Sequence, residues 1–198
     1  MGGVTWAAVI LTGGTAARLD GTDKAGLSHA GRSLLEIALD AVAAAAEVVV
    51  VGPGTSTSRQ VAFTRESPPG GGPLAGIAAG VAALEGDHDL VVVLAVDMPH
   101  VTRETVSRLL EAVGDGDAAW LVDASGRRQL AAAVRPGLVP APGDADGVPV
   151  RALMGAGRSI DVQGVGDEAT DVDTWPDVAR LDRTSEHDTH PDTSPPRT

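Results

Sequence analysis

The residues best suited to chemistry lie in one polar loop between Leu11 and Lys24. Gly13 and Gly14 let the backbone come close to a ligand and aim its N–H groups at an anion. Arg18 and Lys24 add two positive charges, and both side chains bind phosphate well. We therefore predict a phosphate cradle, although a Gly-rich strand-to-helix turn with solvated charges remains an alternative. The loop contains neither G-x-x-x-x-G-K-[ST] nor G-x-G-x-x-G.

A second group of candidates is acidic. Asp97 follows the strongly apolar run 90–96, and a carboxylate at the end of a buried strand is well placed to bind Mg²⁺. Asp171 and Asp173 lie two residues apart, so an extended backbone puts both on one face. Together with a triphosphate, these carboxylates would form a phosphoryl-transfer site. The alternatives are a helix cap or turn for Asp97 and a solvated acidic loop for the later pair.

The elements that must position these residues alternate in type through the first half of the chain. Apolar runs at 4–12, 47–51 and 90–96 predict buried strands, with helices over 33–46, 74–84 and 102–113 between and after them. Ser33 and Glu36 have capping-box spacing at the start of the first helix. This pattern predicts an α/β fold with three α/β/α layers and a mostly parallel, twisted sheet.

The second half of the chain is less regular. Strands are predicted at 118–122 and 130–134 around a turn at Ser125-Gly126, followed by a loop at 140–147, a short helix at 150–154 and a strand at 160–165. A last helix is predicted over 175–181. We expect a single domain over residues 1–181 and a disordered polar tail over 182–198.

Composition excludes several classes of protein. The 198-residue chain has a formal net charge of −12, which argues against a broad basic surface for nucleic acid or membrane. It contains no cysteine, so thiolate chemistry and disulfides are absent. The sequence shows no membrane-spanning run and no secretory signal, and we expect a cytoplasmic protein. Of its 15 basic residues only Lys24 is a lysine, which suggests that arginine cannot serve there.

These pieces, in this order, resemble a known family. Leu-Thr-Gly-Gly-x3-Arg-Leu-x-Gly-x-Asp-Lys, ending at Lys24, is similar to the signature loop of MobA-type nucleotidyltransferases, which include the molybdenum cofactor guanylyltransferases. The segments Gly72-Pro-Leu-Ala-Gly76, Val96-Asp-Met-Pro99 and Asp171-Val-Asp-Thr174 resemble three further family motifs. The resemblance runs from about Val4 to Leu181.

The resemblance implies a Rossmann-like nucleotidyltransferase fold of the glycosyltransferase-A-like type. It also implies transfer of a nucleoside monophosphate from an NTP to the terminal phosphate of molybdopterin, with release of pyrophosphate. By motif, Arg18, Lys24 and Asp97 would be catalytic, and Asp97, Asp173 and Asp171 would bind Mg²⁺. The nucleotide would contact a larger set, made up of Leu11, Thr12, Gly13, Gly14, Lys24, Gly52, Glu66, Gly72, Pro73, Leu74, Gly76 and Asp97. Molybdenum cofactor insertion machinery and target molybdoenzymes are candidate protein partners.

Four positions depart from the family pattern and keep alternatives open. Thr12 replaces a common Ala, and Trp175 interrupts the usual Thr-Pro step. At the position of Gly52 the guanylyltransferases resemble one another in carrying Asn, and at the position of Glu66 they carry Asp. The resemblance implies that these two positions help select the base. The leading hypothesis is transfer of GMP from GTP. A cytidylyltransferase using CTP, a sugar-1-phosphate nucleotidyltransferase and a non-catalytic nucleotide- or pterin-binding adaptor are the alternatives.

Overall fold

The computed structural model describes residues 3–12, 28–29, 31–172 and Asp177. Nine strands and five α-helices are assigned there. In chain order they are β1 (Trp6–Leu11), β2 (Ser28–His29), β3 (Arg32–Ser33), α1 (Leu34–Ala41), β4 (Glu47–Val51), β5 (Ala62–Thr64), α2 (Pro73–Ala82), β6 (Leu90–Ala95), α3 (Arg103–Val113), β7 (Ala118–Val122), β8 (Arg128–Val134), α4 (Pro142–Ala145), α5 (Arg151–Met154) and β9 (Ser159–Gln163).

Seven of the strands form one central sheet in the order β5-β4-β1-β6-β8-β7-β9, and β2 pairs with β3 in a small hairpin. The pairs β5–β4, β4–β1, β1–β6 and β7–β9 are parallel. Only β8 runs against its two neighbours, β6 and β7. The mostly parallel sheet predicted from the sequence is therefore confirmed.

Helices cover both faces of this sheet. Ala8 and Ile10 of β1 pack in one hydrophobic cluster with α1 and α3. Val9 and Leu11, which point the opposite way because side chains alternate along a strand, pack in a second cluster with α2, α4 and α5. Four successive residues of β1, from Ala7 to Ile10, are completely buried. The three-layer α/β/α architecture is confirmed.

Helix α2 lies unusually close to the sheet because two of its glycines face the strands. A Cβ atom at Gly80 would lie 2.4 Å from Val9 Cγ1 and 3.0 Å from Val51 Cγ2. At Gly76 it would lie 3.3 Å from Leu11 Cδ2 and 3.6 Å from Val51 Cγ1. The missing side chains let the helix backbone approach β1 and β4 closely.

The structure corrects three details of the predicted elements. Helix α1 ends at Ala41 rather than near Ala46. Its Ser33 side chain accepts from the Glu36 N–H at 3.2 Å as expected, but the Glu36 carboxylate accepts from the N–H and hydroxyl of Ser58. The predicted loop at 140–147 contains the short helix α4. No helix in the described part of the chain is long and apolar enough to cross a membrane.

Candidate functional site

Three candidate residues follow neighbouring parallel strands at the same edge of the sheet. Thr12 follows β1, Gly52 follows β4, and Asp97 comes two residues after β6. Backbone bonds extend the strand ladders to these positions: the N–H of Thr12 donates to Val51 O at 3.0 Å, and that of Gly52 to Thr64 O at 2.9 Å. The carboxyl edge of a parallel sheet is the usual ligand site of such folds. The sequence-predicted residues are brought together there.

Thr12 begins the predicted cradle loop and is held tightly at that edge. It is 7% exposed, and its hydroxyl donates to Val51 O at 3.0 Å, the carbonyl that also accepts from its N–H. The hydroxyl is thus satisfied inside the fold, which explains how Thr replaces the smaller Ala without leaving a buried polar group unpaired.

The backbone beside Asp171 contacts the backbone of Asp97, although 74 positions separate the two aspartates in the chain. The N–H of Val172 donates to the carbonyl oxygen of Asp97 at 2.8 Å. Val172 is 2% exposed, so the backbone on either side of it is anchored next to the turn that carries Asp97. Both aspartates are half-buried. This backbone contact brings the segment that carries Asp171 to the turn that carries Asp97, and metal binding by the two carboxylates stays a prediction.

Carboxylates carried on two adjoining backbone segments would suit a hard cation such as Mg²⁺, which is commonly bound by one or two carboxylates together with substrate phosphate oxygens. Within residues 3–12, 28–29, 31–172 and Asp177, no three His, Cys, Asp or Glu side chains group closely enough to hold a metal alone. The oxygen donors of Asp97 and Asp171 fit the chemistry of a hard divalent cation, for which they would supply only part of the ligand set.

The Gly-Pro segment forms the start of α2. Gly72 has φ = 91°, a conformation that favours glycine, and Pro73 occupies the first turn, where its missing N–H costs nothing. Gly72 and Pro73 are exposed, whereas Leu74 and Gly76 are buried. The exposed pair is open to a ligand, and the buried pair holds the helix against the sheet.

A neighbouring contact at this helix start was not predicted. A Cβ atom at Gly71 would lie 2.5 Å from Asp146 Oδ1, and the N–H of Gly147 donates to Gly71 O at 3.1 Å. The segment around α4 therefore packs directly on the chain that enters α2. In the sequence, the signal for this close approach is the glycine at position 71.

The two positions that depart from the guanylyltransferase pattern serve the local backbone. Gly52 is buried, with φ = 154°. Glu66 is half-buried, and its carboxylate accepts from the N–H of Gly70 at 3.2 Å, which closes the turn before Gly72. Gly13, Gly14, Arg18, Lys24 and Asp173 lie outside the described residues, and their roles stay predictions.

Two histidines near the site were also missed by the sequence analysis. His29 of β2 and His100, three residues after Asp97, form an edge-on pair with ring centroids 6.1 Å apart. Burial lowers the pKa of His100; Asp167 opposes this effect, and His29 adds to it. The Nδ1 atom of His29 is buried and has no hydrogen-bond partner among the residues that the structure describes. Seventy-one positions separate the two residues, so no local spacing could reveal them.

Glu168 forms a further network beside the acidic segment. Its carboxylate accepts from the Thr105 hydroxyl at 2.6 Å and from the Val165 N–H at 2.8 Å, and it forms an ion pair with Arg108. Burial acts to raise the pKa of Glu168, but these hydrogen bonds and the Arg108 charge outweigh it and lower the pKa. The side chain is therefore a carboxylate at neutral pH.

The comparisons with known proteins agree with this geometry. Residues 8–158, from β1 through α5, match the model of the MobA-like NTP transferase domain. The chain belongs to this family. A molybdenum cofactor guanylyltransferase of Shewanella sp. (strain MR-4) is 30% identical over 127 residues, which cover 62% of this chain. That match spans 64% of the length of the Shewanella protein.

Solved structures of other proteins share the fold. Molybdopterin-guanine dinucleotide biosynthesis protein A from Archaeoglobus fulgidus superposes with a TM-score of 0.72 at 20% identity, over 91% of this chain and 99% of that one. A manganese complex of Rv0371C from Mycobacterium tuberculosis gives 0.68 at 17% identity, over 91% and 98%. At these identities the likeness establishes the MobA-like fold. The acidic segment around Asp171 lies beyond the matched family region.

Proposed function

We propose that this MobA-like chain is a Mg²⁺-dependent nucleotidyltransferase that moves GMP from GTP to the terminal phosphate of molybdopterin and releases pyrophosphate. The observation that carries the proposal is the hydrogen bond from Val172 to Asp97, which joins two acidic segments at the carboxyl edge where the predicted cradle loop begins. Membership of the family and the likeness to the Shewanella guanylyltransferase support the same reaction.

The chain's own residues would act mainly by positioning and by balancing charge. The backbone at Gly13 and Gly14 would face the nucleotide phosphates, and Arg18 and Lys24 would neutralise them. In-line attack by the terminal phosphate oxygen of molybdopterin forms the new bond to the α-phosphorus as the bond to pyrophosphate breaks. Such a step requires aligned substrates and no protein nucleophile, which agrees with a chain that has no cysteine.

Asp97 and Asp171, with Asp173, would hold the divalent metal against the phosphates. When bound, the metal would supply positive charge that stabilises the transition state and the leaving pyrophosphate. The manganese complex of the Mycobacterium tuberculosis structural neighbour supports a divalent cation as the class. We propose Mg²⁺ because carboxylate and phosphate oxygens are its preferred ligands.

Gly52 and Glu66 support CTP as a second candidate for the donor. Neither position carries the residue found in the guanylyltransferases that the sequence resembles, and the Glu66 carboxylate already accepts from the Gly70 N–H. The transferred group would then be CMP, with the same acceptor and the same metal.

Three companion proposals concern the setting of the reaction. We propose that residues 1–181 form the catalytic domain and that 182–198 are a dispensable tail. We propose a cytoplasmic location. Insertion machinery for the molybdenum cofactor, or the molybdoenzymes that receive it, are the proposed transient partners, with nucleic acid and membrane excluded by the net charge of −12.

Calorimetric titration of GTP, CTP and ATP, each with and without Mg²⁺, tests the proposal. We expect GTP to bind more tightly with Mg²⁺, and we expect Asp97→Ala to lose that gain. Glu111→Ala, which removes an exposed carboxylate on α3, is the matched control and should retain it. A preference for CTP would select the second candidate, and binding of no nucleotide would contradict both.

A further inference from the structure

The segment that carries Asp171 has no regular structure of its own. It follows β9, the last strand of the sheet, and runs from Gly164 to Val172. The N–H of Gly164 donates to Val122 O at 2.9 Å, and that of Val172 to Asp97 O at 2.8 Å. Between these two anchors, eight residues apart in sequence, the backbone bonds are local ones from Glu168 N–H to Val165 O and from Thr170 N–H to Asp167 O. Side-chain contacts are therefore needed to tie this stretch to the rest of the fold.

Glu168 supplies the polar contacts, while the neighbouring Ala169 packs against the hydrophobic cluster that includes α1 and α3. Its carboxylate binds Thr105 and Arg108, one turn apart on α3, and also the backbone of Val165 in its own segment. Arg108 donates in addition to Gln163 O at 3.0 Å, at the end of β9. The Glu168 side chain is 13% exposed and Thr105 is 0% exposed, so water competes little for these bonds.

Thr105 links the same network to the turn that carries Asp97. Thr102 precedes α3 as its N-cap, and its N–H donates to Thr105 Oγ1 at 3.1 Å. The Thr105 hydroxyl in turn donates to Glu168. The start of α3 is therefore bonded to the acidic segment, and that segment returns to the backbone of Asp97.

We infer that Glu168 is a positioning residue for the divalent metal: by tying the 164–172 segment to α3 through Thr105 and Arg108, it holds the backbone that carries Asp171 against the turn that carries Asp97 before the metal binds. The inference rests on the proposed function. A segment that had to be ordered on binding would pay conformational entropy at that moment, and affinity would fall. Loss of residues that orient metal ligands typically costs about 10-fold to 100-fold in metal affinity.

Two substitutions at Thr105 distinguish the effect of positioning Glu168 from the effect of its negative charge. Thr105→Val keeps the shape of the side chain and the full charge of Glu168 but removes the hydroxyl that holds it. We expect about a tenfold weaker affinity for the metal. Thr105→Ser restores the hydroxyl and should restore most of the affinity. Asp161→Ala is the control, since it removes a carboxylate on β9 that pairs with Arg128 and leaves the Glu168 contacts in place.

The probe is Mn²⁺, whose free and bound forms are distinguished by electron paramagnetic resonance in the presence of GTP. Titration of GTP without metal, together with thermal unfolding without metal, reports on effects that are merely structural. We expect GTP affinity without metal to be the same in wild type and in all three variants. Among the binding affinities, only that of Thr105→Val for Mn²⁺ should fall. The thermal stability of Thr105→Val should also fall, because the Thr102 N–H loses its acceptor at the start of α3.

The outcomes separate this inference from the proposed function. If the wild type binds no Mn²⁺ in the presence of GTP, both fail. If the wild type binds Mn²⁺ and Thr105→Val binds it equally well, the positioning role of Glu168 is wrong and the proposed function stands. If Thr105→Val does not fold, Glu168→Gln decides: unchanged Mn²⁺ affinity in that variant overturns the inference, and a loss of about tenfold supports it.

Discussion

Substitution of the two sheet-facing glycines of α2 tests how the fold positions the site. In Gly80→Ala the new Cβ would lie 2.4 Å from Val9 Cγ1, about 1 Å closer than an ordinary contact. Both valines nearby are β-branched and sit on central strands, so they cannot rotate away cheaply. Overpacking of this kind costs about 1–3 kcal/mol, against a gain of about 1 kcal/mol in helix propensity.

Gly76→Ala, one turn earlier on the same face, is the matched control. Its Cβ would lie 3.3 Å from the end of the flexible Leu11 side chain and 3.6 Å from Val51 Cγ1. A small shift of Leu11 relieves this contact, and the gain in helix propensity then balances or exceeds the cost. We expect Gly76→Ala to be as stable as wild type or slightly more stable, and Gly80→Ala to be less stable than wild type by up to about 2 kcal/mol.

Urea unfolding at equilibrium, followed by circular dichroism, measures the difference in the free energy of unfolding between the two variants. The expected order is Gly80→Ala below Gly76→Ala, with similar slopes against urea. Equal stability of the two variants, or the reverse order, would refute the packing distances used here.

Three further predictions concern the predicted loop, the tail and one pH response. Lys24→Ala should abolish nucleotidyl transfer with a melting temperature close to wild type, because the sequence places it in a polar loop; normal turnover would remove Lys24 from the cradle. Truncation after Leu181 should leave activity and folding intact, and an unfolded product would show that residues 182–198 belong to the domain. Burial acts to raise the pKa of Glu47, but the pKa is lowered overall because the carboxylate accepts hydrogen bonds from the His88 ring and from the N–H groups of Glu85 and Gly86. The contribution of Glu47 to stability is present above the ordinary pKa of Glu and declines as pH falls through the lowered folded-state pKa. Glu47→Gln should therefore flatten the acid side of the profile of unfolding free energy against pH. An unchanged profile would contradict this.

The sheet and its layers were predictable because the signal is local. The apolar runs that became β1 and β6 are continuous, as expected for strands buried on both faces, and their boundaries agree with the structure within two residues. The turn at Ser125-Gly126 was predictable for a similar reason: Gly126 has φ = 81°, which glycine adopts without strain.

The end of α1 was not predictable because a distant residue determines it. The Ala-rich sequence favours helix through Ala46, yet the Arg59 guanidinium donates to the carbonyls of Val42, Ala43 and Ala45. These carbonyls are thereby satisfied outside the helix, and the N–H of Ala46 donates to Trp6 O at 3.0 Å. Contacts of this kind leave no pattern within the segment.

The candidate site likewise contains residues that could be predicted from the sequence and residues that could not. Residues at strand ends, such as Thr12 and Asp97, could be assigned from position alone, because parallel strands bring their carboxyl ends to one edge. Glu168 could not, since its partner Thr105 lies 63 positions away and both residue types are common on exposed surfaces. Side chains that orient other side chains are visible only once the tertiary contacts are known.

The central claim is the transfer reaction itself, and product analysis tests it most directly. Purified protein is incubated with molybdopterin, Mg²⁺ and either GTP or CTP, and the products are identified by mass spectrometry with pyrophosphate measured in parallel. We predict a molybdopterin–GMP dinucleotide with one pyrophosphate released per dinucleotide, dependent on the divalent metal and absent with Asp97→Ala. A dinucleotide formed only from CTP would contradict the assignment of the base, and no dinucleotide from either nucleotide would contradict the proposed function.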